Sequence, residues 1–161
     1  MLRESPFLPE YITGNMAVDA ILKAKSALMD RAGIEFKYSL YPLKSMPVPE
    51  NDFCVMLSNL IDNAIEGVMR LPVGASSRAV QLTMTNTRDM FSILCINDYN
   101  PTTIKQRGER FISSKRNPQI HGFGTINMRA TVEKYGGYIH FDTTATKFKV
   151  TLIIPDGENH A

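Results

Sequence analysis

Between Phe53 and Arg70 the chain reads Phe-Cys-Val-Met-Leu-Ser-Asn-Leu-Ile-Asp-Asn-Ala-Ile-Glu-Gly-Val-Met-Arg, and no other stretch limits the possible folds so tightly. At about 100° per residue, Phe53, Met56, Leu57, Leu60, Ile61, Ala64 and Val68 fall on one side of a helix. Asn59, Asp62, Asn63 and Glu66 fall on the other. Solvated helix faces ordinarily interleave cations with their acids, yet this one carries no cation before Arg70, where a positive charge suits a helix C-terminus. A stripe of carboxamide and carboxylate oxygens suits a hard cation such as Mg²⁺, which also takes water and phosphate ligands.

The chain before this helix offers another helix from an Asn15 cap through Met16, Val18, Ile21, Leu22, Ala24, Leu28 and Met29 to Gly33. A half-buried strand follows at Ile34 to Tyr41. Pro42, Pro47 and Pro49 then break the chain, and Asn51 or Asp52 offers the cap of the central helix. After it come strands over Ala79 to Asn86 and Met90 to Asn97, joined by a polar turn. A long segment from Asp98 to Gly122 has little apolar periodicity, as a functional lid would. A third helix runs through Ile126, Met128, Ala130, Val132 and Tyr135 to Gly136-Gly137, and strands at Tyr138 to Thr143 and Lys147 to Ile154 close the pattern. This order predicts an α+β fold, a two-layer α/β sandwich with helices packed on one face of a mixed, largely antiparallel sheet.

Composition narrows the function. A length of 161 residues with 43% hydrophobic side chains predicts one globular domain. The net charge of +2, without a basic block, gives nucleic acid no footing. No apolar run approaches a membrane span, so direct membrane contact by this segment is not expected. Cys54 and Cys95 have no metal-ligand or CxxC spacing and read as buried, reduced thiols, consistent with a cytoplasmic setting.

Gly122-Phe123-Gly124 opens the third helix directly after the lid. Glycines there let the backbone approach a ligand, and helix N-terminal N–H groups attract phosphate. Lys115, within the lid, supplies a mobile point charge for the same anion. An oxygen-rich helix, an anion cradle and a cover together describe a site for a nucleoside triphosphate with Mg²⁺.

These residues carry a resemblance. Leu57-Ser58-Asn59-Leu60-Ile61-Asp62-Asn63-Ala64-Ile65-Glu66 resembles the N box of the GHKL ATP-binding superfamily. Thr13-Gly14-Asn15, Asp19-Ala20-Ile21-Leu22, Lys25, Ser114-Lys115, His121-Gly122-Phe123-Gly124-Thr125-Ile126-Asn127 and Glu133-Lys134-Tyr135-Gly136-Gly137 resemble the catalytic domain of sensor histidine kinases of the quorum-sensing peptide-receptor type. The resemblance spans about residues 11 to 155 and implies a histidine kinase-like ATPase fold that binds ATP and Mg²⁺. Residues 1–10 would then be a linker from an upstream dimerisation segment, and 156–161 a tail.

Position by position, the resemblance implies that Asn63 binds Mg²⁺ through its side-chain oxygen and that Asn59 lies beside the γ-phosphate. Gly122 and Gly124, with His121 and Phe123 in the same segment, would line the phosphates under Lys115. Asp62 and Glu66 are secondary candidates for the site, and Thr146, in the third box, is a further nucleotide-binding candidate. Asn97 aligns with the adenine-reading aspartate, with Asp98 as a rival. The usual glycine-rich adenine segment is reduced to Ile96-Asn97-Asp98-Tyr99-Asn100, and the third box reads Ala145-Thr146-Lys147-Phe148 without its glycine. The implied activity is transfer of the ATP γ-phosphoryl to a histidine on a separate dimerisation domain, with a response regulator as the onward partner and a membrane sensor as parent. A regulatory nucleotide-binding module, or an anti-sigma-type serine kinase sharing the same ATP site, are the alternatives.

Overall fold

The computed structural model describes residues 12–43, 45–87, 89–101 and 127–156, together with the backbone of three short strands at 3–4, 104–107 and 110–113. Strands β1 (Arg3–Glu4), β2 (Glu35–Leu40), β3 (Ala79–Asn86), β4 (Met90–Asp98), β7 (Tyr138–Thr143) and β8 (Lys147–Pro155) form one sheet in the order β1-β2-β3-β4-β8-β7. Every pairing is antiparallel except that of β2 with β3, which is parallel. Helices α1 (Met16–Arg31) and α2 (Glu50–Met69) and a third helix, α3, described over 127–134, complete the fold. The expected α+β sandwich is the observed one.

Alternation along β3, β4 and β8 explains the two layers. Val80, Leu82 and Met84, then Phe91, Ile93 and Cys95, then Phe148, Val150, Leu152 and Ile154 are all buried. The intervening residues on the other face are mostly half-buried or exposed. Against the apolar face lies α2, whose Phe53, Met56, Leu57, Leu60, Ile61, Ala64 and Val68 are each at most 3% exposed. The seven residues assigned to its buried side from periodicity are therefore all in the core.

Helix α1 is capped as its sequence predicts: the Asn15 side-chain oxygen accepts from the Val18 N–H at 3.0 Å. Its burial departs from the apolar list, because Met16 and Leu28 are exposed while Asp19 and Ser26 are buried. Asp19 turns back to accept from the Thr13 hydroxyl at 2.6 Å and the Thr13 N–H at 2.8 Å. The start of α2 also differs from expectation. Neither Asn51 nor Asp52 caps it; Pro49 is the N-cap, with no side-chain cap hydrogen bond. The acids of the first turn are used in other contacts, Glu50 accepting from Asn15 Nδ2 at 2.9 Å and Asp52 from the Tyr135 hydroxyl. These contacts tie α1 and the residue ending α3 to the α2 N-terminus.

Beyond α3, Gly136 adopts φ of +73°, and a Cβ on Gly137 would meet the Ile153 carbonyl oxygen at 2.5 Å. The pair thus ends the helix and lets the chain turn closely over β8. Two features were not expected. Arg3–Glu4, inside the segment read as a linker, adds a short strand to β2. Within the lid, β5 (Ile104–Arg107) and β6 (Arg110–Ser113) pair antiparallel as a separate two-stranded sheet. Only Gly108-Glu109 separates these strands, a hairpin-length link, but four-residue strands rich in charge leave no readable period.

Candidate functional site

The site is organised by one line along α2. Asn59, Asn63 and Gly67 are spaced i, i+4, i+8 and so stack along one face over roughly 12 Å of helix rise. Asn59 and Asn63 are half-buried. At the far end of the line, Asn97 rises from the end of β4 and packs its carboxamide against the α2 backbone at Gly67. Asn97 is 4% exposed, and its Nδ2 donates to the main-chain carbonyl of Asp98 at 2.9 Å.

Asp98 points the other way, as the next residue on a strand must. Its carboxylate accepts from Ser77 Oγ at 2.6 Å and from the Ala79 N–H at 2.8 Å, and is paired with Lys147. Of the two candidates for reading a base, Asn97 therefore faces the helix, and Asp98 stitches β3, β4 and β8 together. Thr146 lies at the same end of the sheet, in the exposed turn before β8. Its carbonyl accepts from the Tyr99 N–H at 3.1 Å, while the Tyr99 hydroxyl donates to the Thr144 carbonyl at 2.9 Å.

The acidic members of the stripe turn away from this line. Asp62 forms an ion pair with Lys25 of α1 at 2.6 Å, and Glu66 lies 3.8 Å from Arg70. Both line an open groove of about 470 Å³ between α1 and α2, with Leu28, Arg31, Ala32, Ile65 and Met69. Glu66, a secondary candidate for the site, thus sits on the α1 side of the helix. Lys115, His121, Gly122, Phe123 and Gly124 lie outside the described residues. Gly67 is the site residue that sequence reasoning missed, although a glycine inside a strong helical pattern is itself a signal of close packing.

Electrostatics at the sheet end bear on stability. Burial alone would raise the Asp98 pKa, but the Lys147 ammonium, the Ser77 hydroxyl and the Ala79 N–H outweigh it and hold it below the ordinary carboxylate value. Asp19 follows the same logic, burial being outweighed by the Thr13 hydroxyl and by the N–H groups of Thr13, Ile12 and Gly14. Depressed folded-state values contribute stability above the unfolded carboxylate pKa of about 4, and that contribution is lost as pH falls below it. We expect a nearly flat melting temperature from pH 7 to 5 and a steep fall below about pH 4. Asp98→Asn should lower the melting temperature at pH 7 and shallow the acid limb; thermal melts across pH check both. Burial pushes the Cys95 thiol up to about 12, so it is inert as a nucleophile. Cys54, expected to be buried, is half-buried; both cysteines are free.

The donor set fits a cation held jointly with phosphate. No group of three or more His, Cys, Asp or Glu side chains that could cage a metal occurs among the described residues. Mg²⁺ commonly keeps several waters and takes one or two protein oxygens beside its substrate's phosphates, and the side-chain amide of half-buried Asn63 is a donor of that kind. Fold and side-chain arrangement together define an α/β sandwich with a polar line along its central helix. The chain belongs to the GHKL domain family, whose model matches residues 49–155, well over half its length.

Solved structures with the same fold include histidine kinase AdeS of Acinetobacter baumannii, at 16% identity and a TM-score of 0.59, covering 92% of this chain and 68% of that one. The catalytic domain of histidine kinase ThkA aligns at 15% identity and a TM-score of 0.61, covering 97% of this chain and 96% of that one. Full-length ShkA in complex with AMPPNP aligns at 16% identity and a TM-score of 0.57, covering 86% of this chain and 30% of that one. No curated protein sequence matches the chain. The architecture is that of the ATP-binding catalytic domain of histidine kinases. No described helix is long and apolar enough to cross a membrane.

Proposed function

We propose that this domain binds ATP with Mg²⁺ and hands the γ-phosphoryl group to a histidine on a separate dimerisation segment of its parent kinase, a sensor of the peptide-receptor type. The proposed unit is residues 11–155, with a response regulator as onward acceptor. The observation that carries the reading is the Asn59–Asn63–Gly67 line with Asn97 at its end. It offers amide oxygens for a metal and phosphates at one end and a single buried amide for a base at the other, over a span comparable with an extended nucleotide. One fold neighbour was solved in complex with AMPPNP, which supports nucleotide binding by this fold.

Each residue then has a defined task. Asn63 holds the metal through its side-chain oxygen, and Asn59 lies beside the terminal phosphate. A carboxamide cannot accept a proton from water at neutral pH, so Asn59 does not generate a hydroxide, and the γ-phosphoryl is kept for the imidazole. Mg²⁺, when bound, neutralises charge on the phosphate oxygens. The imidazole nitrogen forms a bond to γ-phosphorus as the bond to the β–γ bridging oxygen breaks, and ADP departs. The lid residues Lys115, Gly122 and Gly124 belong to this reading as the cover over the phosphates. His140 stacks on Tyr138 at the sheet edge, with ring centroids 6.2 Å apart, a setting with no resemblance to an acceptor helix.

A thermal-shift titration tests the reading. Mg²⁺·ATP at ten to a thousand times its dissociation constant is expected to stabilise the domain by about 1 to 4 kcal/mol. Incubation with the dimerisation fragment and labelled ATP should give acid-labile phosphate. Absence of any shift would remove the nucleotide assignment. Tight binding without label would leave a regulatory module, and acid-stable label would point to serine.

A further inference from the structure

Gly67 lies inside a twenty-residue helix, at a buried position with ordinary helical backbone. Glycine is among the poorest helix formers, and no left-handed φ requires it here. What requires it is packing: a Cβ at this position would stand 2.5 Å from Asn97 Nδ2 and 3.5 Å from its carboxamide carbon. The α2 backbone therefore forms one wall of the slot that holds the Asn97 amide, and the Asp98 carbonyl forms another by accepting from Nδ2 at 2.9 Å. With Nδ2 held there, Oδ1 is left as the atom to accept a hydrogen bond from a ligand. An amide free to flip could equally present a donor. Here Nδ2 is held by the Asp98 carbonyl, and no hydrogen bond to Oδ1 is found among the described residues.

We propose that Gly67 is a positioning residue for base recognition. By admitting Asn97 against the helix backbone it fixes the carboxamide with its oxygen outward, and so selects a purine bearing an exocyclic amino group over one bearing a carbonyl oxygen. The inference rests on the nucleotide reading above and names what sets its specificity. A buried acceptor opposite a second acceptor leaves both unsatisfied, and such mismatches discriminate more strongly than lost apolar contact.

The test compares ATP with inosine triphosphate, which carries a carbonyl oxygen where ATP has its amino group, both with Mg²⁺ and by calorimetry. Wild type is expected to favour ATP by about tenfold or more. Gly67→Ala should weaken ATP at least about tenfold and inosine triphosphate little, so that the preference collapses. Gly67→Ala should also melt below wild type although alanine is the better helix former. Adding Asn97→Ala should raise the melting temperature again by vacating the clash, without restoring the preference. If Gly67→Ala does not fold, recovery of folding in the double variant and loss of preference in Asn97→Ala alone carry the same proposal. A wild type that binds ATP without preferring it overturns the proposal and leaves the nucleotide reading intact. So does a Gly67→Ala variant that keeps the wild-type ratio. A wild type that binds neither nucleotide removes both.

Discussion

Alanine in place of Asn63 is expected to cut phosphoryl transfer to the dimerisation fragment by about a hundredfold or more, the scale on which single preorganised polar groups act in such sites. It should also erase the Mg²⁺-dependent part of the stabilisation by ATP. The unliganded domain should barely respond, because Asn63 is half-buried on the polar side of α2 and substitutions away from core or network stay within about 0.5 kcal/mol. Single-turnover transfer, and melts with and without Mg²⁺, measure the two effects separately. An unchanged Mg²⁺ response would remove Asn63 from the metal site.

The opposite result is expected ten residues earlier on the same helix. Phe53 is fully buried and meets the Phe91 ring edge-on, with centroids 5.4 Å apart and planes at 67°. Phe53→Ala should destabilise the domain by about 3 to 5 kcal/mol through lost burial and the cavity left behind. Nucleotide affinity should persist at temperatures where the variant remains folded. Urea unfolding gives the value, and a loss under about 1.5 kcal/mol would mean that the sheet collapses onto the gap. In the proposed reading the two substitutions would separate a face of one helix that holds the fold from a face that holds the ligand.

The buried face of α2 was legible in the sequence, because a 3.6-residue period in a long helix is a strong signal. The alternating strands were legible for the same reason, at period 2. Cap identity was not. Asn15 behaves as a cap because its side chain is free to reach Val18, whereas Asp52 receives Tyr135, a residue more than eighty positions away that local sequence cannot foresee. Burial of Asp19 was hidden likewise, since a polar residue on an apolar face becomes acceptable only once the Thr13 loop folds back to donate to it. For the candidate site, sequence proposed Asn59, Asn63 and the pair Asn97 and Asp98. Strand alternation and the Ser77, Ala79 and Lys147 donors were needed to separate the last two. Gly67 acquires meaning only from what stands opposite it.

The single parallel pairing among the described strands joins β2 to β3, and the segment between them contains α2. Such a crossover cannot form by a local turn, and contacts distant along the chain come late in folding. The amides on the helix therefore confront the tip of β4 through contacts distant along the chain rather than through a local turn. A nucleotide held between helix and strand tip would thus bridge segments that only the complete topology brings together.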